Sequence, residues 1–274
     1  MNELTTVNQA EINNLFAQTG GNTQDEQIRV PFLQVQYDSE DKQGRDVKRG
    51  YFRMSDQEEP VYADTIKIRV LAHHFQYRHT DPDTYKVVNK SILLQDLRYG
   101  EARDMAGTIR CGKPTRKALE QLPKEKQAQY DTIRTTRILR GICSYTGTTV
   151  DGTEVVVENA PFQFFMKGLN FMGFESVLKA LPHGKKFHDF HIDLSNRKDG
   201  KAFITEFKID FDSSAIITNE VVETLKVFAE MARIENQMIE GKYREALTKR
   251  ASTTDIYSAI AEDAFDNELD ADLA

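Results

Sequence analysis

Aromatic and basic residues alternate along residues 75–90, a combination that suits single-stranded nucleic acid. Cations pair with backbone phosphates, and flat rings stack on unpaired bases, each stack contributing ~1–3 kcal/mol by alanine substitution. The alternative is that the rings pack in the core while the cations form an ordinary solvated surface, and the pattern leaves both open. The residues in question are Phe75, Tyr77, Arg78, Tyr85, Lys86 and Lys90.

A second group of cations follows in a segment that contains glycine and proline. Between Arg103 and Arg140 ten bases face four acids. Such a loop is often only a solvent-exposed segment without a binding role. Cations beside Gly112 and Pro114 also suit a loop that runs along the phosphates of a nucleic acid. The candidate phosphate contacts here are Arg110, Lys113, Arg116 and Lys117.

Charge is distributed unevenly along the chain. The whole sequence has 36 Lys and Arg against 43 Asp and Glu, a net charge of −7, yet residues 262–274 hold six acids and no base. Without that tail the balance is 37 acids to 36 bases, and residues 42–140 alone hold 21 bases and 13 acids. An acidic tail on a basic body can fold back and compete with phosphate, can dock on a partner enzyme, or can be merely solubilising. The tail residues predicted to contact partners are Phe265, Asp266, Glu268, Leu269, Asp270, Asp272 and Leu273.

Hydrophobic periodicity predicts a β-rich domain that positions these groups. Along residues 65–80 the apolar alternation changes parity near Leu71-Ala72, which indicates a bulge, and the turn at residues 81–83 leads into a partner strand at 85–97. After Asn219 the spacing of the apolar residues changes from every second position, typical of a strand, to the spacing of a helix. We expect about eight strands in all, at residues 28–37, 48–54, 65–80, 85–97, 137–150, 153–158 and 160–168 and in a hairpin over 187–211, with helices at 170–181 and 219–250.

Signatures of other protein classes are missing from the sequence. No apolar run approaches the ~18–20 residues of a membrane span, and the first residues lack the order of a signal peptide. Two cysteines indicate a reducing cytosol. No phosphate-cradling loop, nucleotide-binding glycine motif, zinc-protease motif or serine-hydrolase motif occurs. The expectation is a cytoplasmic, non-enzymatic protein that uses no cofactor and no metal.

Several short motifs, in their order along the chain, resemble the single-stranded DNA-binding replication proteins of tailed phages. The tail differs from those of many members in ending without an aromatic residue. The matching positions are Arg29 to Leu33; Phe75 and Tyr77; Arg110, Gly112, Lys113 and Pro114; Gly141 and Ser144; Gly168, Asn170, Phe171, Met172 and Phe174; and the acidic tail.

The resemblance implies a mainly β (α+β) fold, an elaborated OB-like barrel with an internal helix, a basic loop insertion, a C-terminal helix and an acidic disordered tail. The domains would be residues 1–27 as an N-terminal arm, 28–215 as the DNA-binding domain, 216–250 as the helix and 251–274 as the flexible tail. The implied function is binding single-stranded DNA without sequence preference during phage replication, recombination or repair, in the cytoplasm of the infected cell.

Partners and rival functions remain open at this point. Replication or recombination enzymes are expected at the tail, and the C-terminal helix packs either on the barrel or against a second copy in a homo-oligomer. One rival function is a protein-binding inhibitor whose tail mimics nucleic acid. The other is a metal-dependent nuclease that uses dispersed carboxylates.

Overall fold

A computed structural model describes residues 30–41, 43–55, 57–81, 83–84, 86–97, 102–107 and 116–251. All contacts reported below lie within the unit that begins at Pro31. The predicted N-terminal arm and residues 252–274 of the acidic tail lie outside the described residues, as do the predicted site residues Tyr85, Arg110 and Lys113.

Strands predominate over helices in the described chain, so the mainly β class predicted from the sequence is confirmed. The strands are β1 (Leu33–Val35), β2 (Phe52–Met54), β3 (Thr65–Thr80), β4 (Val87–Lys90), β5 (Ile133–Thr148), β6 (Glu154–Met166), β7 (Phe190–Asp199) and β8 (Ala202–Ser214). The helices are α1 (Arg116–Gln121), α2 (Lys124–Asp131), α3 (Gly173–Ala180) and α4 (Asn219–Ala251), with 3-10 turns at Gly168–Met172 and Phe187–Asp189.

The long strand β3 organises an antiparallel sheet whose order is β6-β5-β3-β7-β8. On one side β5 follows β3 almost throughout; on the other, β7 pairs with the first residues of β3 and β4 with the last. The register with β5 shifts between Val70 and Ala72, which confirms the predicted bulge. Opposite this bulge the backbones approach so closely that a Cβ on Gly141 would lie 2.0 Å from the Arg69 carbonyl oxygen.

Beyond the bulge the two faces of the sheet differ in character. One face carries the main apolar core, where Phe174 and Val177 of α3 pack among the strand residues. The opposite face carries polar residues such as Gln76, and α4 lies against it through the contacts of Glu235 and Asn236. The helix buries few side chains there, namely Val221, Phe228 and Ile239.

The short sheet of β1 and β2 is attached to the main sheet at two places. The Gln163 amide of β6 donates to the Pro31 carbonyl at 2.8 Å, and the Asn196 side chain of β7 donates to the Gly50 carbonyl at 2.7 Å. In the described part of the chain no pairing joins the outer strands β6 and β8. The structure therefore shows an antiparallel sheet with a C-terminal helix, and the closed OB-like barrel expected from the resemblance is not confirmed.

Most predicted elements occur with shifted ends. The predicted helix at 170–181 begins as a 3-10 turn and continues as α3, and the predicted helix at 219–250 is α4. The predicted 85–97 strand is confined to β4, and the loop insertion contains α1 and α2. No helix in the described ranges combines the length and apolar character that crossing a membrane requires.

Candidate nucleic-acid interface

Three cations form a row across three neighbouring strands on the face that α4 partly covers. Arg78 of β3 lies opposite Lys90 of β4 on one side and opposite Arg134 of β5 on the other. Side chains directly opposite one another in antiparallel strands share a face, with Cβ atoms about 4.5–5.5 Å apart. Because like charges at this spacing repel, the row favours any anion that lies against it.

Each cation of the row has a different immediate environment. The Lys90 ammonium forms a 2.7 Å ion pair with Glu235 of α4. The Arg78 Nε donates to the Gln76 side-chain oxygen at 2.8 Å. Arg134 is exposed and donates from Nη1 to the Asp131 carbonyl at 2.6 Å. Among the described residues Arg134 pairs with no carboxylate, and because it is also exposed a phosphate can reach it directly.

Two phenylalanine rings extend the row into a stacking platform. The Arg78 guanidinium carbon lies 4.2 Å from the centroid of the Phe165 ring, and the Phe165 and Phe32 centroids are 5.2 Å apart. Phe32 is 40% exposed. An unpaired base could stack on this outer ring while its phosphate meets the cations, as in single-strand-binding grooves.

Three members of this site were not predicted from the sequence, namely Phe32, Phe165 and Arg134. A signal for Phe165 existed in residues 160–168, where the alternation puts Phe165 on the opposite face from Phe164. Nothing in the sequence joins it to Arg78, because that contact depends on the pairing of both strands with β5.

A pocket of about 270 Å³ opens beside Arg78 and Lys90, with Val87, Asn89 and Met105 as its other lining residues. It combines two cations with apolar walls, the kind of surface that accepts part of a nucleotide. The pocket adjoins the row, and its lining includes two of the residues predicted from the sequence.

Glu235 lies at the centre of a buried polar network beneath α4. Its carboxylate accepts from Lys90, from the Gln76 amide at 3.0 Å and from the Arg140 Nη2 at 3.1 Å. Burial raises the pKa of Glu235, but Lys90, Gln76 and Arg140 together outweigh burial and lower it on balance. Glu235 thus remains ionised at neutral pH and neutralises part of the positive charge of this face.

The predicted stacking residues Phe75 and Tyr77 lie on the opposite face of β3. Tyr77 is 6% exposed and packs with Leu94 and Ile133 in a separate apolar cluster, which Phe75 borders. Tyr77 is therefore closed to bases in this arrangement, whereas Phe75 is half-buried. The placement favours the packing alternative for these two rings, while their contact with DNA stays a prediction.

The half-buried Phe75 also belongs to an aromatic cage around Arg137. The guanidinium carbon lies 5.1 Å from the Phe75 centroid and 4.9 Å from that of Phe171, and Nη2 forms a 2.6 Å ion pair with Glu175. That hydrogen bond holds the pKa of Glu175 below its ordinary value. Phe171 comes from the segment 168–174 that carries the family resemblance, so the structure gives this motif a packing role.

The other predicted phosphate contacts that the structure describes lie outside the row. Lys86 precedes β4 and Lys117 lies in α1, and both side chains are exposed. Arg116 is the first residue of α1. Among the predicted cations within the described ranges, only Arg78 and Lys90 are brought together in the row.

The described residues offer no cluster suited to a metal ion. No group of three or more His, Cys, Asp or Glu side chains converges among them. Cys143 is buried, and burial raises the pKa of its thiol to about 12. This thiol is protonated at neutral pH.

Comparison of the chain with protein-family models, with curated proteins and with solved structures finds no match.

Proposed function

We propose that the protein binds single-stranded DNA without sequence preference, along the face that carries Lys90, Arg78 and Arg134. The observation that carries this proposal is the register of these cations on three adjacent strands, with Arg78 stacked on Phe165. Cations that pair with phosphates and rings that stack on bases bind a polynucleotide without contacting the base edges that distinguish one sequence from another.

The arrangement of the strands supports an OB-like mode of binding. The β1–β2 sheet bridges from β6, through Gln163, to the β7–β8 hairpin, through Asn196. An OB-fold is likewise a partly open barrel, and one face of its sheet binds oligonucleotides. The resemblance of segments 29–33 and 168–174 to phage replication proteins points to the same function.

An anisotropy titration with labelled oligothymidylate tests the proposal. An oligomer of about 30 nucleotides exceeds the 4–16 nucleotides that one OB-fold covers. We expect Arg134→Ala to weaken binding and to make the slope of log K against log salt less steep by about 0.7. This change corresponds to the loss of one phosphate contact on a single strand. Phe32→Ala should weaken binding at every salt concentration.

Lys226→Ala is the matched control for Arg134→Ala. Lys226 is an exposed cation of α4 that pairs with Glu223 at 2.8 Å, so the variant removes the same charge away from the row. If Arg134→Ala and Lys226→Ala have equal affinities and salt slopes, the row is not the binding surface. Absence of binding by the wild-type chain at low salt would refute the function itself.

A further inference from the structure

A second surface, where the tip of the β7–β8 hairpin meets the β1–β2 sheet, combines exposed basic side chains with the exposed ring of Tyr37 and the buried ring of Phe203. The Tyr37 ring lies 6.0 Å, centroid to centroid, from the edge-on ring of Phe203. The Arg49 guanidinium carbon lies 5.8 Å from the Phe203 centroid, and Arg49 Nε donates to the Tyr37 carbonyl at 2.7 Å. Tyr37 is 47% exposed, so a ligand can reach part of this side chain.

Further cations surround these rings. Lys198 lies opposite Phe203 in the register of β7 and β8, so both side chains are on the same face of the hairpin. The Lys48 ammonium lies 5.4 Å from the Tyr51 centroid. Lys48, Arg49 and Lys198 are exposed. In the described part of the chain none of the three has a carboxylate within ion-pair distance, in contrast to the neighbouring Arg197, which pairs with Glu206 at 2.8 Å.

The surface is built on a fixed base. Gly50 has a φ of +86°, and a Cβ there would lie 2.6 Å from the Phe203 ring, so only glycine lets the ring lie on this backbone. Asn170 fixes the hairpin beside Phe203, because its side-chain oxygen accepts from the Thr205 amide at 2.9 Å and its side-chain nitrogen donates to the Phe203 carbonyl at 3.5 Å. Because these contacts hold the rings in place, a ligand that stacks on Tyr37 would lose little of its binding energy to ordering the protein.

We propose that this tip patch, consisting of Tyr37, Lys48, Arg49, Lys198 and Phe203, is a second contact surface for the same single-stranded nucleic acid. One base stacks on Tyr37, and the phosphates on either side of that base pair with Arg49 and Lys198. The inference rests on the proposed function and deepens it, since it extends the path of the strand beyond the row of Lys90, Arg78 and Arg134.

The chemistry favours a polynucleotide over an acidic peptide. Three exposed cations without carboxylate partners, placed next to rings, provide what a strand of alternating phosphates and bases requires. A carboxylate-rich peptide would use the cations and leave the exposed Tyr37 face without a flat partner.

Two adjacent residues of the hairpin provide a matched pair of variants. Lys198→Ala and Arg197→Ala each remove one positive charge from the same strand, but neighbouring residues point to opposite faces. We expect Lys198→Ala to lower the salt slope of oligothymidylate binding by about 0.7. We expect Arg197→Ala, whose charge is already paired with Glu206, to leave the affinity within twofold.

Tyr37 is tested by a second pair of variants. Tyr37→Ala removes the ring and should weaken binding about fivefold or more, the lower end of the effect of one stacked base. Tyr37→Phe keeps the ring and loses only the hydroxyl, so its affinity should stay within twofold of the wild type. Thermal unfolding followed by circular dichroism establishes that each variant is folded.

The outcomes separate this inference from the proposed function. If Lys198→Ala equals Arg197→Ala and Tyr37→Ala binds normally, while Arg134→Ala is impaired, then the tip patch is refuted and the proposed function stands. If the tip variants are impaired and Arg134→Ala is not, the tip patch is supported and the row is refuted. If the wild-type chain does not bind oligothymidylate, both are refuted.

Discussion

Removal of the Glu235 carboxylate should destabilise the protein far more than removal of any exposed acid of α4. Glu235 accepts from Lys90, Gln76 and Arg140. The Lys90 side chain is 23% exposed and can turn partly to water, whereas the Arg140 side chain is 2% exposed and cannot. Removing one partner of a buried ion pair costs about 3–5 kcal/mol because the other charge stays buried. We therefore expect Glu235→Ala to lower the free energy of unfolding by about 3–4 kcal/mol.

Urea unfolding at two salt concentrations measures this loss, with Glu240→Ala as the control. Glu240 lies on the same helix, is 30% exposed and pairs with Arg103 at 3.4 Å. Such a pair contributes about 0–1 kcal/mol, and salt reduces that contribution by screening. The loss in Glu235→Ala should persist in high salt, because ions do not enter the buried network.

A double substitution shows whether the uncompensated charge of Arg140 is the cause. The double variant Arg140→Met with Glu235→Leu lacks both charges. It should be more stable than either single variant, because apolar residues of similar size can replace a buried ion pair without leaving an unpaired charge. A loss below about 1 kcal/mol for Glu235→Ala, equal to that of Glu240→Ala, would contradict this explanation. So would a double variant whose loss equals the sum of the two single losses.

Three further predictions concern other parts of the molecule. Burial, reinforced by Arg137, lowers the pKa of His73 to about 4 from its ordinary 6.5. The unfolded chain binds this proton at a higher pH than the folded chain does, so protonation favours unfolding as the pH falls. The free energy of unfolding should therefore decrease by about 2 kcal/mol between pH 7 and pH 5. In urea unfolding at both pH values, His73→Gln should lose less stability on acidification than the wild type. Tyr77→Ala should cost about 3 kcal/mol of stability while the folded variant keeps its affinity for oligothymidylate; a stable variant that binds weakly would contradict the packing role. Deletion of residues 262–274 should tighten DNA binding at low salt and have less effect at high salt, because the acids compete for the same cations; equal affinities at low salt would contradict this.

Local patterns in the sequence were sufficient to predict most of the elements. The change of parity at Leu71-Ala72 predicted the bulge that the register of β3 shows, and the period of the residues after Asn219 predicted α4. The strands predicted at 137–150 and 153–158 occur as β5 and the first part of β6, and the two pair with each other. Such features depend on residues a few positions apart, so the sequence contains all the information they require.

The choice of face for each side chain depended on tertiary structure. Alternation along β3 separates Phe75 and Tyr77 from Gln76 and Arg78, but it does not say which pair faces the core. Contacts with Phe171 of the 3-10 turn and with the Leu94 cluster decide that the aromatic pair packs against other apolar residues. This is why Arg78 lies in the row while the rings adjacent to it in sequence do not.

The candidate sites themselves are assembled from segments far apart in the chain. Glu235 comes from a helix more than a hundred residues after β3, and the tip patch joins residues near 37 and 49 to residues near 198 and 203. Contacts at such separations are determined by strand register and by the packing of the helix on the sheet. Composition and local pattern were enough to predict the elements and to identify the cations and rings. Which cations are neutralised, which rings are exposed and which of them meet depends on distances between atoms that are remote along the chain, so these properties follow from the tertiary fold alone.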